Sequence, residues 1–260
     1  MKRFLLILVM ITCLRGFSQD VAFTQSFMIP ESINPSFSGF YQTTKAGLLY
    51  KNQQWSGFNF NLNSQYVYFD DWYPELNSGI GISLINHQET VTNYNLKQVN
   101  VNWAYDVQIN YDWHFRPSIS VGFGFKDFGF DNLLFEDQIN IFQNLISSNT
   151  FDPIVLDENV RYVDFGASFL FNNDYSWIGL TLRHLNRPNV SMVSQGDAPL
   201  DIFVSLHASL ELPVLNYNDD NSIFLITNFM MQGKYDRFDL GFQYTFDRFS
   251  FGLTAATNPI

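Results

Sequence analysis

The sequence predicts an all-β fold, a transmembrane antiparallel up-and-down β-barrel, and three observations carry that reading. The first is alternation. At 201–212, Ile202, Val204, Leu206, Ala208, Leu210 and Leu212 fall on one face of an extended strand, and Phe203, Ser205, His207, Ser209 and Glu211 on the other, because successive strand side chains point to opposite sides. One face is oily and the other mostly polar, over about the 9 to 11 residues that a tilted strand needs to cross a bilayer. The second is composition. Charged residues make up only 15% of the 260, while aromatics reach 18% with 28 Phe and 13 Tyr. Mean hydropathy is nevertheless −0.07, as a barrel requires when each lipid-facing residue alternates with a lumen-facing one. Beyond the N-terminus no apolar run approaches the ~18 residues of a spanning helix.

The third observation is the start of the chain. Residues 1–18 have the layout of a secretory signal peptide: Lys2 and Arg3 form a positive start, 4–14 an apolar stretch, and Gly16 and Ser18 suit the small positions before a cut. Cys13 is the only cysteine, and Thr12 before it argues against a lipidation site. The mature chain is then expected to have no disulfide. With Lys2, Arg3 and Arg15 removed from 14 basic residues against 25 acidic ones, it carries a net charge of −14. That balance excludes nucleic acid as a partner.

Residues 19–43 contain Pro30 and Pro35, which do not fit the interior of a helix or a central strand. They form an N-terminal periplasmic or lumenal segment ahead of a barrel domain at 44–260. Eleven strands are expected there: 44–51, 58–69, 79–87, 96–108, 117–126, 160–171, 175–185, 201–212, 222–231, 236–246 and 249–256. A soluble β-sandwich would alternate in the same way, but its strands average about 5 to 6 residues, and it would need neither export nor an aromatic excess suited to interfacial girdles. With the N-terminus in the periplasm, the connections after odd strands face outward, and these include the two longest, 127–159 and 186–200. Long outer loops and short inner turns, such as Asn172-Asn173-Asp174 and Asp247-Arg248, are the barrel arrangement. Within the longest loop, 132–146 has apolar residues at near-helical spacing, so a short amphipathic helix is expected.

Catalytic chemistry finds no support in the motifs. His87, His114, His184 and His207 are dispersed, and no zinc-protease, nucleophile-elbow, phosphate-loop or dinucleotide pattern occurs. Ser205, His207, Ser209 and Glu211 share the inward parity, but alternate strand positions stand about 7 Å apart, so they are expected to line a polar lumen without direct hydrogen bonds. Asp70-Asp71 and Asp219-Asp220-Asn221 read as solvated turns without calcium-loop spacing. No catalytic residue, metal site or cofactor is expected, and the chain is read as not an enzyme.

A series of motifs then resembles one family. Phe23-Thr24-Gln25, Pro30 and the run Asn34-Pro35-Ser36-Phe37-Ser38-Gly39 are similar to the N-terminal signature of the PorP/SprF proteins of Bacteroidota, in which two alanines stand where Ser36 and Ser38 do here. Tyr50, Asn52, Gln53 and Trp55 resemble a following Y-R-N-Q-W, Gly79 and Gly81 a G-x-G strand opening, and His184, Leu185 and Pro188 a later His-Leu-x-x-Pro. The resemblance implies an outer-membrane protein of type IX secretion and gliding. It implies partners in outer-membrane lipid, secreted cargo or adhesins and periplasmic secretion components, and help with the secretion or surface retention of cargo. Physical reading alone leaves a passive channel or hydrophobic-solute porin as the alternative. The family barrel is thought to have fourteen strands, so about 11 of 14 are expected in this chain, with the rest removed by C-terminal truncation. Bacterial barrels close with even strand numbers, and residues 255–260 end in a loop-like segment.

Overall fold

A computed structural model of the chain describes residues 20, 23, 28–55, 60–129, 134, 136–140, 145–147, 159–192, 196–213, 221–246 and 249–257. The signal-peptide segment 1–18, Gln25, the Asp219-Asp220 pair and the Asp247-Arg248 turn lie outside the described residues.

Fourteen strands are present among the described residues: β1 (Lys45–Trp55), β2 (Phe60–Tyr73), β3 (Ser78–Glu89), β4 (Asn95–Tyr105), β5 (Val107–Gln108), β6 (His114–Asp127), β7 (Ile139–Asn140), β8 (Leu145–Ile146), β9 (Asn159–Asn172), β10 (Ser176–Arg183), β11 (Phe203–Pro213), β12 (Asn221–Gln232), β13 (Tyr235–Phe246) and β14 (Phe249–Ala256). Twelve of them make one sheet, in the order β1-β2-β3-β4-β6-β9-β10-β11-β12-β13-β14 with β5 attached to β6. Every pairing is antiparallel, so the sheet is a continuous up-and-down meander. All eleven expected strands are there. The expected strand 96–108 is divided at Asp106, whose carboxylate turns to His114 and Arg116 and whose N–H donates to Asn77 O at 2.8 Å.

Strands form here because alternation divides two environments. Outward, Val101, Ile119, Val121, Phe123, Phe165, Leu206 and Leu240 remain exposed, while inward Ser64, Gln98, Ser118, Ser168, Ser205 and Asn228 are buried. The polar residues are the buried ones, the inverse of a soluble sandwich. Ser118 and Ser168 are covered by the N-terminal segment, which also touches β2, β3, β10, β11 and β12 through the contacts described below, so the sheet curls around it. The sheet is not closed: β1 pairs only with β2 and β14 only with β13. Since neighbours on this eleven-strand path alternate in direction, those two edge strands run the same way.

The expected helix over 132–146 is corrected. Glu136–Gln138 makes one 3₁₀ turn, and Ile139–Asn140 pairs with Leu145–Ile146 as a separate two-stranded ribbon. Ile139, Leu145 and Ile146 are exposed, so these apolar side chains are not buried against the described residues, and a helix this short is not stable without such burial. The other long connection folds back inward. Val190 and Leu200 pack on inward-facing Tyr162, and the ladder bonds Val190 N to Ala198 O and Leu200 N to Pro188 O, both 3.0 Å, hold that shape. This loop therefore covers one end of the lumen.

Candidate functional site

The N-terminal segment traverses the lumen from end to end. Asp20 lies at the end that carries the long connections. Its N–H donates to Gln232 Oε1 at 2.8 Å, and its carboxylate contacts His184 Nε2 at 2.9 Å and Arg183 Nη1 at 3.6 Å. Lys45, where β1 begins, pairs with Asp70 beside the short β2–β3 turn at the opposite end. Between these points two 3₁₀ turns, Pro30–Ser32 and Pro35–Phe37, are buried. Each has proline at its first position, where the missing N–H would have no helical partner anyway. The side chain of Asn34 caps the second turn by accepting from Ser36 N at 2.7 Å.

Each turn of the segment is met by the wall. Asn34 Nδ2 donates to Phe169 O at 3.1 Å and lies 3.0 Å from His207 Nε2. Ser36 Oγ is 3.0 Å from Ser118 Oγ and 3.3 Å from Ser168 Oγ. Arg116, fully buried, donates from Nε to Ser36 O at 3.1 Å and from Nη2 to Ser38 O at 2.9 Å, with its third arm on Asp106 at 2.7 Å. Arg183 donates to Ser32 O and Ile33 O, and Tyr66 OH donates to Glu31 O. These are the partners that an irregular backbone at membrane depth requires. Phe37 stacks edge-on against Trp177, and Trp177 against His207.

Two glycines permit the closest approach. Gly39 adopts φ +65°, and an added Cβ would come within 2.6 Å of the Gly79 Cα. A Cβ on Gly79 would fall 1.9 Å from Ser38 O. The segment and the wall touch backbone to backbone there, and no side chain fits between them.

A clasp of charges closes the long-connection end. His184 stands between Asp20 and Asp164, 2.9 Å from each. Burial would raise the Asp20 carboxyl, but His184 and Arg183 outweigh it and hold the group down at about 2. Burial would likewise lower His184, whereas Asp20 and Asp164 lift it to about 10.

A relay of side-chain hydrogen bonds links Asn34 to β11 and β12. Contrary to the spacing argument, Ser205 Oγ lies 3.1 Å from His207 Nδ1, because side chains on the concave side of a curled sheet converge. Asn34 Oδ1 is committed to Ser36 N, so its amide NH₂ faces His207 and Nε2 must accept. The proton is thereby assigned to Nδ1, which donates to Ser205, and the Ser205 hydroxyl donates onward to Asn228 Oδ1 at 2.8 Å. His207 cannot take a proton from Ser205 in this tautomer, and Glu211 is no part of the chain of bonds. Asp70 also departs from expectation. It is a buried inward residue of β2 and not a solvated turn, because the strand continues to Tyr73. Among the described residues, no group of three or more His, Cys, Asp and Glu side chains is placed to hold a metal ion.

The sequence-derived positions divide into two groups. Phe23, Pro30, Asn34, Pro35, Phe37, Gly39, Gly79 and Gly81 converge in the lumen, with Phe23 against Tyr66 and Gly81 under Ser38. His184 joins the clasp. Tyr50 and Asn52 instead lie outside and exposed, both bonded to Asn63 Oδ1; Gln53 pairs with Leu62 along β1, and the side chain of Trp55 is not described. Leu185 is exposed, and Pro188 is buried in the folded-back loop. Sequence reasoning missed Asp20, Glu31, Arg116 and Arg183. The signal for Arg183 was its parity: it shares the inward face of β10 with Trp177, Gly179 and Thr181, and an inward arginine needs an internal partner.

Comparison with known proteins adds a lineage. The family described as type IX secretion system membrane protein PorP/SprF matches residues 16–258. No curated protein matches. Among solved structures, a KdgM porin is 9% identical over 82% of this chain and 89% of its own, with a TM-score of 0.38. The β domain of the Bordetella autotransporter BrkA is 9% identical over 83% of this chain and 91% of its own, with a TM-score of 0.45.

Proposed function

The chain belongs to the PorP/SprF family of type IX secretion system membrane proteins, and from that premise we propose that it is a non-enzymatic outer-membrane barrel that docks and holds secreted cargo. The observation that carries this reading is the filled lumen. A segment bonded to the wall at Asp20, Asn34, Ser36 and Ser38 occupies the path that a solute would need, so the alternative of a passive channel or hydrophobic-solute porin is disfavoured. The family assignment supports the outer membrane, secreted cargo or adhesins, and periplasmic secretion components as partners; the outward row of apolar side chains supports a lipid surroundings. Two measurements test it. In planar bilayers the purified protein is expected to leave the membrane non-conducting, and steady solute-permeable openings by the intact chain would favour the channel. Purified from native membranes in mild detergent, it is expected to bring down secreted surface proteins with periplasmic components. Recovery alone in every preparation would count against a cargo role.

A further inference from the structure

At the short-turn end the lumen opens in a polar cleft of about 320 Å³, lined by Phe40 after the N-terminal segment, Asp106, His114 and Arg116 around the β4–β6 connection, and Asn172 and Asp174 where β9 turns into β10. Direct contacts bring these parts together. Arg116 lies over the Phe40 ring, 5.7 Å from its centroid, and donates to Asp106, which also accepts from His114 Nδ1 at 2.8 Å. Asn172 stands opposite His114 in the β6–β9 register. Asn173 Oδ1 fixes the turn that carries Asp174 by accepting from Tyr175 N and Ser176 N.

What these walls leave open is of one kind. Asn172 Oδ1 is buried and has no hydrogen-bond partner. Asp174 is exposed and makes no ion pair among the described residues. With Nδ1 given to Asp106, Nε2 of the neutral His114 ring is a further acceptor. Arg116 is committed to Ser36 O, Ser38 O and Asp106, and Asp106 offsets its charge. The cleft therefore offers acceptors, and the uncompensated charge of Asp174, to a cation. Among the described residues no three acidic or imidazole groups are placed to hold a metal ion. The volume is roughly ten times the ~30 Å³ share of a water molecule, which suits an organic head group. A guanidinium serves this set better than an ammonium, because its five N–H donors spread over a plane and its face stacks on an aromatic ring such as Phe40.

The rim indicates what carries that group. Tyr111 in the β4–β6 connection is 97% exposed, and Ile109 and Tyr175, beside the same mouth, are exposed as well. The connection is ordered, since Asn110 Oδ1 accepts from Asp112 N at 3.0 Å and Trp113 N at 2.9 Å. Exposed aromatics around a polar anchor pocket have the composition of a protein interface, in which tyrosine and arginine dominate the binding energy. A small free cation in the cleft would leave that rim in water.

We propose that the cleft is a docking pocket for an arginine side chain of a protein on the short-turn side, which is the periplasmic side of a barrel with long outer loops. This inference rests on the barrel reading for its orientation and is independent of a cargo role.

The test has two arms. The full chain, folded in detergent, is titrated with N-acetylarginine amide and followed by saturation-transfer NMR. Saturable binding is expected, and the uncharged N-acetylcitrulline amide should bind about tenfold more weakly or worse. Asp174→Asn and Asn172→Leu should weaken the arginine amide to a similar degree, while Asp201→Asn, at the long-connection end, leaves it unchanged. Asp174 sits in an exposed turn, and an unchanged melting temperature checks that Asp174→Asn folds. In the second arm, Tyr111→p-benzoylphenylalanine is photo-activated in native membranes. A protein adduct whose cross-linked peptide contains arginine is expected, several-fold reduced when Asp174→Asn is added. Absence of saturable binding, or equal binding of the citrulline amide, overturns the pocket. Adducts to lipid alone, or protein adducts indifferent to Asp174→Asn, overturn the protein occupant. The first arm needs no partner, so its result stands apart from the co-purification that tests the cargo reading.

Discussion

Asn34 and His207 lie 173 residues apart in the chain and meet at 3.0 Å in the lumen. Neither faces water: Asn34 is wholly buried and His207 is 1% exposed. Each therefore depends on the other for satisfaction, and through Ser205 and Asn228 the bond fixes the position of the segment relative to β11 and β12.

Removing one partner should cost more than the bond itself. Asn34→Ala leaves His207 Nε2, Phe169 O and Ser36 N without their partner, and is expected to destabilise the folded protein by about 1–3 kcal/mol. In urea unfolding of the refolded barrel, Asn34→Ala and His207→Ala should show a coupling of about 0.5–3 kcal/mol in a double-mutant cycle. Strict additivity would show that the contact carries no energy.

Backbone contact makes a sharper prediction at Gly79. Gly79→Ala places a methyl 1.9 Å from Ser38 O, which only a shift of the segment or the strand relieves. Limited proteolysis should then cut the N-terminal segment in the variant and spare it in the parent. Equal protection in both would mean that the segment does not lie against β3. Gly241→Ala makes a control, since the nearest atom to its added Cβ is 3.5 Å away.

The eleven long strands were legible because lipid and lumen faces exchange at every residue, as through Phe165, Gly166, Ala167 and Ser168. The site was legible in part. Asn34-Pro35 and Gly39 announced a constrained backbone, but the wall they meet is set by the curl of the sheet, which brings β9 and β11 to the segment across more than a hundred residues. Spacing along a straight strand kept Ser205 and His207 apart; curvature on the concave side brought them together. At 132–146 the near-helical spacing of Leu and Ile described a face of which Leu134, Leu145 and Ile146 stay exposed. Asp20 and Glu31 stood in a stretch without periodicity, and no local pattern distinguished a lumen-buried acid from a solvated one.

The charge clasp gives a pH dependence whose sign follows from its two groups. His184 is raised from 6.5 to about 10, so its contribution is full below 6.5 and is lost as pH rises toward 10. Asp20 is lowered from 3.8 to about 2, so its contribution is full above 3.8 and is lost as pH falls toward 2. Stability from the clasp is therefore greatest between these ranges and declines above neutrality, by at most about 1.4 kcal/mol per pH unit for one proton. Melting temperature measured from pH 6 to 10 should fall in the parent and fall less in His184→Gln. Parallel curves would remove His184 from the linkage.

Charge on the outward face tests what surrounds the sheet. Phe165 is 46% and Leu206 49% exposed, on the parity opposite to buried Ser168 and Ser205. In lipid vesicles, Phe165→Arg and Leu206→Arg are expected to destabilise the fold by about 2–4 kcal/mol if they lie near the midplane. Phe165→Leu and Leu206→Val keep the face apolar and should cost far less. Inward arginines are unsuitable controls, because Ser168 already touches Ser36 and Ser118 and a long side chain there would displace the segment. In water an exposed Phe-to-Arg exchange is nearly neutral, so the difference between the Arg and Leu variants reads the solvent directly. Equal stability of Phe165→Arg and Phe165→Leu in vesicles would mean that this face does not meet hydrocarbon.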